Sequence, residues 1–281
     1  MNTFLMCEPH FYDVEYVINP YMEGNIHAVD KQLAHRQWRN LYDTISKHAK
    51  VELIDPAPGL PDMVFTANAG LPIVDLNYIW LSKFAKTQRS GEPRLFHGWF
   101  IAEGFDVLVD PRPAAPVFEG AGDGLIDCRG EYWLAYGQRS SEKAAMLIQK
   151  FFDNKTFHIL ELTDPYFYHL DTCFCPLSKG QCLLFKDAFS VSSYWMIAMK
   201  HGKSSGIDSD DQRNVVIEVD EADAKRFACN AVCIGDTVIM PECSDDLIGR
   251  IEAAGYTVQT VDLSEFLKAG GAAKCLTLLI H

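Results

Sequence analysis

The chain has no apolar run approaching the ~20 residues that a membrane-spanning helix needs. Its N-terminus lacks the charged-then-apolar pattern of a secretory leader. Positive charge is scarce: 25 Lys and Arg stand against 38 Asp and Glu, a formal net charge of −13. That balance argues against nucleic acid as a partner, because phosphate is bound by basic surfaces, and suits a small cationic substrate drawn in by a negative field. Linkers and low-complexity tracts are missing. Nine cysteines include neither a CxxC pair nor a Cys/His cluster with zinc spacing, so no metal and no cofactor are expected. Thiols dispersed in this way predict a reducing, cytoplasmic compartment. Cys173 and Cys175 lie two apart on a predicted strand, share a face there, and read as small buried hydrophobes. Hydrophobic residues at 48% and charged residues at 22% are ordinary for a globular protein, and 281 residues fit one large domain over 1–281.

What the chain does have is one phrase in five versions: FTANAGL (65–71), GAGDGLI (120–126), YHLDTCF (168–174), FACNAVC (227–233) and AAKCLTL (272–278). Their fourth positions are Asn68, Asp123, Asp171, Asn230 and Cys275, at successive differences of 55, 48, 59 and 45 residues. A period of about fifty residues signals a repeat architecture. A β-rich segment precedes every copy (AKVELID, FDVLVDP, FHILELT, NVVIEVD, YTVQTVD), and another follows after a turn (NYIWLS, EYWLAYG, QCLLFK, DTVIMP). Helix candidates fall between units at 29–50, 94–103, 140–152, 188–201 and 244–254. Ser244 before two aspartates reads as an N-cap, and Gly104 and Gly255 read as helix stops. The polar stretch 202–211 reads as an exposed loop. The fifth unit lacks its second strand, and Thr3–Glu8 resembles it. The predicted fold is therefore α/β: a five-fold pseudosymmetric α/β propeller of ββαβ-type repeats, closed by pairing of the N- and C-terminal strands. The competing reading is five unrelated hairpins in an α+β domain.

A closed ring would bring the fourth positions to one axis. Cys275 follows Gly270-Gly271-Ala272-Ala273, small residues that allow close approach to the sulfur. A cysteine nucleophile acts as thiolate and needs a base or cation nearby, for which His169 is the best candidate. His169 lies two residues before Asp171, so on a strand both would face one way. Glu119 adds a carboxylate four residues before Asp123, across a Gly-rich bend. Carboxylates would hold a planar cation bidentately, the cysteine would attack its central carbon, and the histidine would protonate the departing amine. Taken singly, each group also has a structural reading: Cys275 and His169 as core residues, Asp123 and Asp171 as turn caps.

The phrases PDMVFTANAG, FEGAGD, YHLDTCFCPL and AGGAAKCLTL resemble the guanidine-modifying enzymes of the pentein fold, which include arginine deiminases, dimethylarginine dimethylaminohydrolases and amidinotransferases. The likeness runs from Met6 to the C-terminal CLTL and is nearest to the arginine dihydrolase catalytic domain of cyanobacteria. It implies that Cys275 is the nucleophile and His169 the general acid and base. It implies that Glu119 and Asp171 hold a guanidinium with Asp62 nearby, that Arg89 and Arg139 grip an α-carboxylate, and that Asn19 and Asn68 line the pocket. Ala273 and Asp123 complete the expected site. Dimethylarginine hydrolases tend to be acidic where Ala67 and Asn68 stand, and deiminases typically read EGGD where this chain reads EGAGD. Both departures match the dihydrolase pattern, whose products would be ornithine, ammonia and carbon dioxide. An arginine deiminase or dimethylargininase giving citrulline remains the alternative within the enzymes. A non-catalytic pentein that only binds a partner, like the ribosome anti-association factors, is the alternative outside them. The expected partner is a small guanidino compound, and the sequence carries no sign of oligomeric state.

Overall fold

The computed structural model describes residues 2–110, 112, 114–201 and 216–281. The chain starts with β1 (Thr3–Cys7), α1 (Lys31–Ser46) and β2 (Lys50–Ile54). Next come β3 (Gly70–Ile73), β4 (Tyr78–Leu81), α2 (Glu92–Ala102) and β5 (Asp106–Leu108). The third group is β6 (Gly124–Ile126), β7 (Tyr132–Tyr136), α3 (Glu142–Phe151) and β8 (Phe157–Glu161). The fourth is β9 (Phe174–Pro176), β10 (Cys182–Leu184), α4 (Val191–His201) and β11 (Val216–Glu218). After α5 (Glu221–Lys225) come β12 (Val232–Ile234), β13 (Thr237–Pro241), α6 (Asp245–Ala253) and β14 (Thr257–Val261), then α7 (Ser264–Leu267) and β15 (Leu278–Leu279).

These strands form five three-stranded sheets of one design. In each, the first strand runs antiparallel to the second, and a helix carries the chain back to a third strand parallel to the second. A parallel pair needs such a crossover, which explains the helix after each second strand. In the fifth sheet the two chain ends supply the parts. β15 pairs antiparallel with β1 in the register Phe4↔Leu279, and β1 pairs parallel with β2 as Phe4↔Val51. The fold is thus α/β with five repeats, and the N-terminal strand does complete the last unit.

Among the second strands, only Ile79 of β4 is buried, but every residue of β1 and β10 is buried, as are four of five in β7 and β13. They read as short continuous apolar runs because both faces are covered. The third strands β2 and β14 are half exposed. Helix α1 buries Ala34, Trp38, Leu41 and Ile45, one stripe at three- and four-residue spacing. Its Asp30 cap accepts from Leu33 N–H, Ser141 caps α3 by accepting from Ala144, and Ser244 caps α6 by accepting from Leu247. Gly104 and Gly255 follow their helices at φ 87° and 90°, a left-handed backbone that glycine adopts freely.

Two expectations change, and a third is untested. Cys173 precedes β9 with φ −133° and ψ −2°, so it does not share a strand face with Cys175, although both are buried. His169 and Asp171 do not lie on one strand either, because residues 170–172 form a short 3-10 turn. The predicted loop 202–211 lies outside the described residues.

Candidate active site

The fourth positions of the five phrases sit on or beside tight turns at the starts of the first strands, and hydrogen bonds join each turn to the next. Asn68 Nδ2 donates to Glu119 O at 3.0 Å, and Leu170 N–H donates to Asp123 Oδ1 at 3.1 Å. Asn230 Nδ2 donates to Asp171 O at 2.9 Å, Lys274 N–H to Asn230 O at 3.1 Å, and Ala67 N–H to Cys275 O at 3.1 Å. Together these bonds link all five repeats in succession. Below the turns, a cavity of about 110 Å³ is lined by Leu71, Leu125, Cys175, Val232 and Leu279, one residue from each first strand, with Lys274 also in its wall.

A pocket above the turns gathers Asn19, Asp62, Asn68, Arg89, Arg139, His169 and Cys275. The Cys275 thiol donates to Asp171 Oδ2 at 3.4 Å and its sulfur accepts from Asn230 Nδ2 at 3.1 Å. Burial pushes this thiol well above its ordinary range, and the neighbouring Asp171 carboxylate adds to that. His169 Nε2 lies 2.7 Å from Glu119 Oε2, which also accepts from Arg139 at 3.1 Å, while Glu119 Oε1 accepts from Ala85 N–H at 2.8 Å. Burial alone would raise Glu119; the His169 hydrogen bond and charge, with Arg139 and Arg89, outweigh it and bring it down to about 2. Histidine and thiol are therefore each served by a different carboxylate, a division the strand-based expectation did not contain.

The two arginines are buried and already engaged. Arg89 makes a bidentate pair with Glu92 at 2.8 Å and 2.8 Å, and donates to Asn68 Oδ1 and Asp62 O. Arg139 bridges Glu119 and Ile18 O and lies over the Tyr168 ring at 4.8 Å. Asp62 Oδ2 accepts from Tyr16 Oη at 2.8 Å, and burial raises its carboxyl. Asp62 Oδ1 and Asp171 Oδ1 are buried and have no donor. Burial lifts Asp171 to about 6, against the opposing charge of Lys274 and the Cys275 hydrogen bond. Asn19 donates to Ala269 O and caps the turn at 20–22.

Four expected site residues are absent from the pocket's lining: Glu119 and Asp171, which reach it through His169 and Cys275, and Asp123 and Ala273. Both oxygens of Asp123 are used inside the protein, by Ser140 Oγ at 2.6 Å and Leu170 N–H, so it supports the turns instead of facing a substrate. Ala273 is fully buried and its carbonyl accepts from Thr277; Gly271 and Ala269 line the pocket instead. Gly270 is required: at φ 81° any Cβ would stand 3.0 Å from both Asn19 Oδ1 and Tyr168 Oη. Sequence reasoning missed Tyr16, Glu92, Tyr168 and Asn230 as members of the site. Only Asn230 carried a signal, as the fourth position of its phrase. Among the described residues no group of His, Cys, Asp or Glu could hold a metal, and no helix is long and apolar enough to cross a membrane.

A family model for eukaryotic-type N,N dimethylarginine dimethylhydrolase matches residues 18–281. The chain belongs to this family. It is 46% identical over 277 residues to the bifunctional arginine dihydrolase/ornithine cyclodeaminase ArgZ of Synechocystis sp., a match covering 98% of this chain and 37% of that protein. It is 36% identical to the N(G),N(G)-dimethylarginine dimethylaminohydrolase of Mycobacterium tuberculosis, over 99% of this chain and 85% of that protein. The fold is similar to the N-terminal domain of ArgZ, in an asparagine-to-serine variant covalently bound to a reaction intermediate, with a TM-score of 0.92 and 45% identity over 100% of this chain and 98% of the other. The chain spans little more than a third of the length of the first curated relative it matches, 37% of ArgZ.

Proposed function

We propose that this chain is a cysteine-dependent hydrolase of the guanidinium group of free arginine, producing ornithine, ammonia and carbon dioxide. One observation carries the guanidinium: Asp62 and Asp171 each keep a buried oxygen without a donor, and Asp171 lies beside the Cys275 sulfur. Buried carboxylate oxygens need donors, and the rigid N–H fork of a guanidinium supplies them in pairs. Such a cation also offsets the burial and the Asp171 charge that oppose ionisation of Cys275, so binding and thiolate formation favour each other.

The thiolate then attacks the guanidinium carbon, and ammonia leaves with a proton from His169, which Glu119 holds in place. Water activated by His169 releases the thiolate and leaves citrulline. A second attack by Cys275 expels ornithine, and a second water splits the carbamoyl-cysteine into ammonia and carbon dioxide. Asn68 favours this second cycle. Its amide accepts from Arg89 and donates to Glu119 O, and it can present both a donor and an acceptor to a neutral ureido group, which a carboxylate cannot. The pocket encloses only about 20 Å³, roughly one water's worth of space.

The same reading takes the five sheets as blades of a single closed propeller and residues 1–281 as one domain, supported by the hydrogen bonds that pass from turn to turn and by the β1–β15 pairing. Nine free thiols favour a reducing compartment such as the cytoplasm. The family model favours dimethylarginine as a second reading. Counting products separates the two: two ammonia with each ornithine supports the dihydrolase, while dimethylamine with citrulline, or one ammonia with citrulline, replaces it.

A further inference from the structure

We propose that Asn230 is a positioning residue for Cys275: it orients Sγ and supplies the hydrogen bond that a sulfur anion needs. The proposal rests on Cys275 being the nucleophile of the reaction above. Asn230 is wholly buried and uses its full hydrogen-bonding capacity. Oδ1 accepts from Ala272 N–H at 3.1 Å and from Cys275 N–H at 3.0 Å, the two ends of the nucleophile's turn. Nδ2 donates to Asp171 O at 2.9 Å and to Cys275 Sγ at 3.1 Å. The two backbone donors fix which way the amide points, because a reversed amide would set N–H against N–H. A donor is therefore compelled to face the sulfur. The turn that delivers it is itself forced: Phe227, three residues earlier, has left-handed backbone at φ 64°, and its carbonyl accepts Asn230 N–H at 2.8 Å.

Opposite this donor stands Asp171, which accepts the thiol proton and repels the thiolate. The other charged or titratable neighbours are Lys274, the next residue in the chain, Tyr168, whose field couples to the sulfur, and His169 in the same pocket. Among the described residues Asn230 is the one side chain that donates a hydrogen bond to Sγ, and the backbone of Ala272 favours the thiolate as well. A hydrogen bond to a charged acceptor is stronger than one to its neutral form, so the Asn230 contact favours thiolate over thiol.

The test is the rate at which iodoacetamide alkylates Cys275 between pH 7 and 10, read by mass spectrometry of the Cys275 peptide. Asn230→Asp keeps an acceptor for the two backbone N–H groups and replaces the donor with a second negative oxygen. The expected result is alkylation at pH 8 slowed about tenfold, a displacement of the profile of roughly one pH unit. If Asn230→Asp does not fold, Asn230→Ser, which is smaller and neutral, is read in the same way. A purely structural role predicts the opposite sign, since a loosened turn exposes the thiol and speeds alkylation. A profile that overlays the wild type, or is faster, overturns the proposal. Alkylation needs no arginine, so this result stands apart from whether arginine is the substrate.

Discussion

At Cys275 the resting protein opposes the anion that the chemistry requires, and two side chains decide how that is resolved. Asp171 Oδ2 accepts from the thiol, 3.4 Å from the sulfur, while the His169 imidazole pairs elsewhere, with Glu119 at 2.7 Å. Glu119 is held at about 2, below its ordinary 4.5, chiefly because His169 and two guanidinium groups outweigh the effect of burial. A depressed carboxylate contributes stability that is complete above about pH 4.5 and lost as pH falls through about 2. Urea unfolding from pH 5 to 2 should therefore show the wild type losing more stability than Glu119→Gln; equal losses would place the acid sensitivity elsewhere. In the proposed reaction Asn68 governs the product. Asn68→Asp should turn over arginine with citrulline accumulating at the expense of ornithine, as read by amino-acid analysis, and an unchanged ornithine yield would remove its assigned role.

Among the elements, the five longer helices and the second and third strands were legible in the sequence, while the short helices α5 and α7 and the turns that carry the site were not. Apolar periodicity and caps are local, so 29–50 contains α1, 244–254 contains α6, and the β-rich phrases contain β2, β5, β8, β11 and β14. The catalytic phrases are followed by short strands but begin in 3-10 turns at 66–69, 120–122 and 170–172, whose three-residue step sends neighbouring side chains in different directions. That is why His169 and Asp171 serve different partners, and why Asp123 points into the protein. Which groups meet across turns depends on packing between repeats, so Tyr16 and Glu92 had no local mark, and Asn230 was marked by its place in the phrase but not by its partner. The closeness of these turns is testable at Gly122. A Cβ there would stand 2.3 Å from Asn68 Nδ2 and 3.3 Å from the His169 ring. Gly122→Ala should lower kcat at least tenfold and cost about 1–3 kcal/mol of stability by overpacking. Wild-type kcat in that variant would mean the turns have slack.

In the whole molecule, the two chain ends finish one sheet: Thr3 N–H donates to His281 O at 2.8 Å and Ile280 N–H to Thr3 O at 2.9 Å. Ends so placed make the starting point of the chain arbitrary. A circular permutant with the ends joined by a short Gly/Ser linker, opened in the exposed turn at 153–154, should fold and keep activity within about threefold, because such tips tolerate breaks. Loss of cooperative unfolding in that permutant would argue against interchangeable repeats. The repeat was legible because its phrases agree in order; the succession of hydrogen bonds joining the turns was not, since it links residues about fifty apart. The most direct measurement is intact-protein and peptide mass spectrometry after mixing with arginine and quenching in acid. The account predicts a substrate-derived mass on the Cys275 peptide alone, absent in Cys275→Ala. An active protein with no mass gain at Cys275, or turnover surviving in Cys275→Ala, would contradict it.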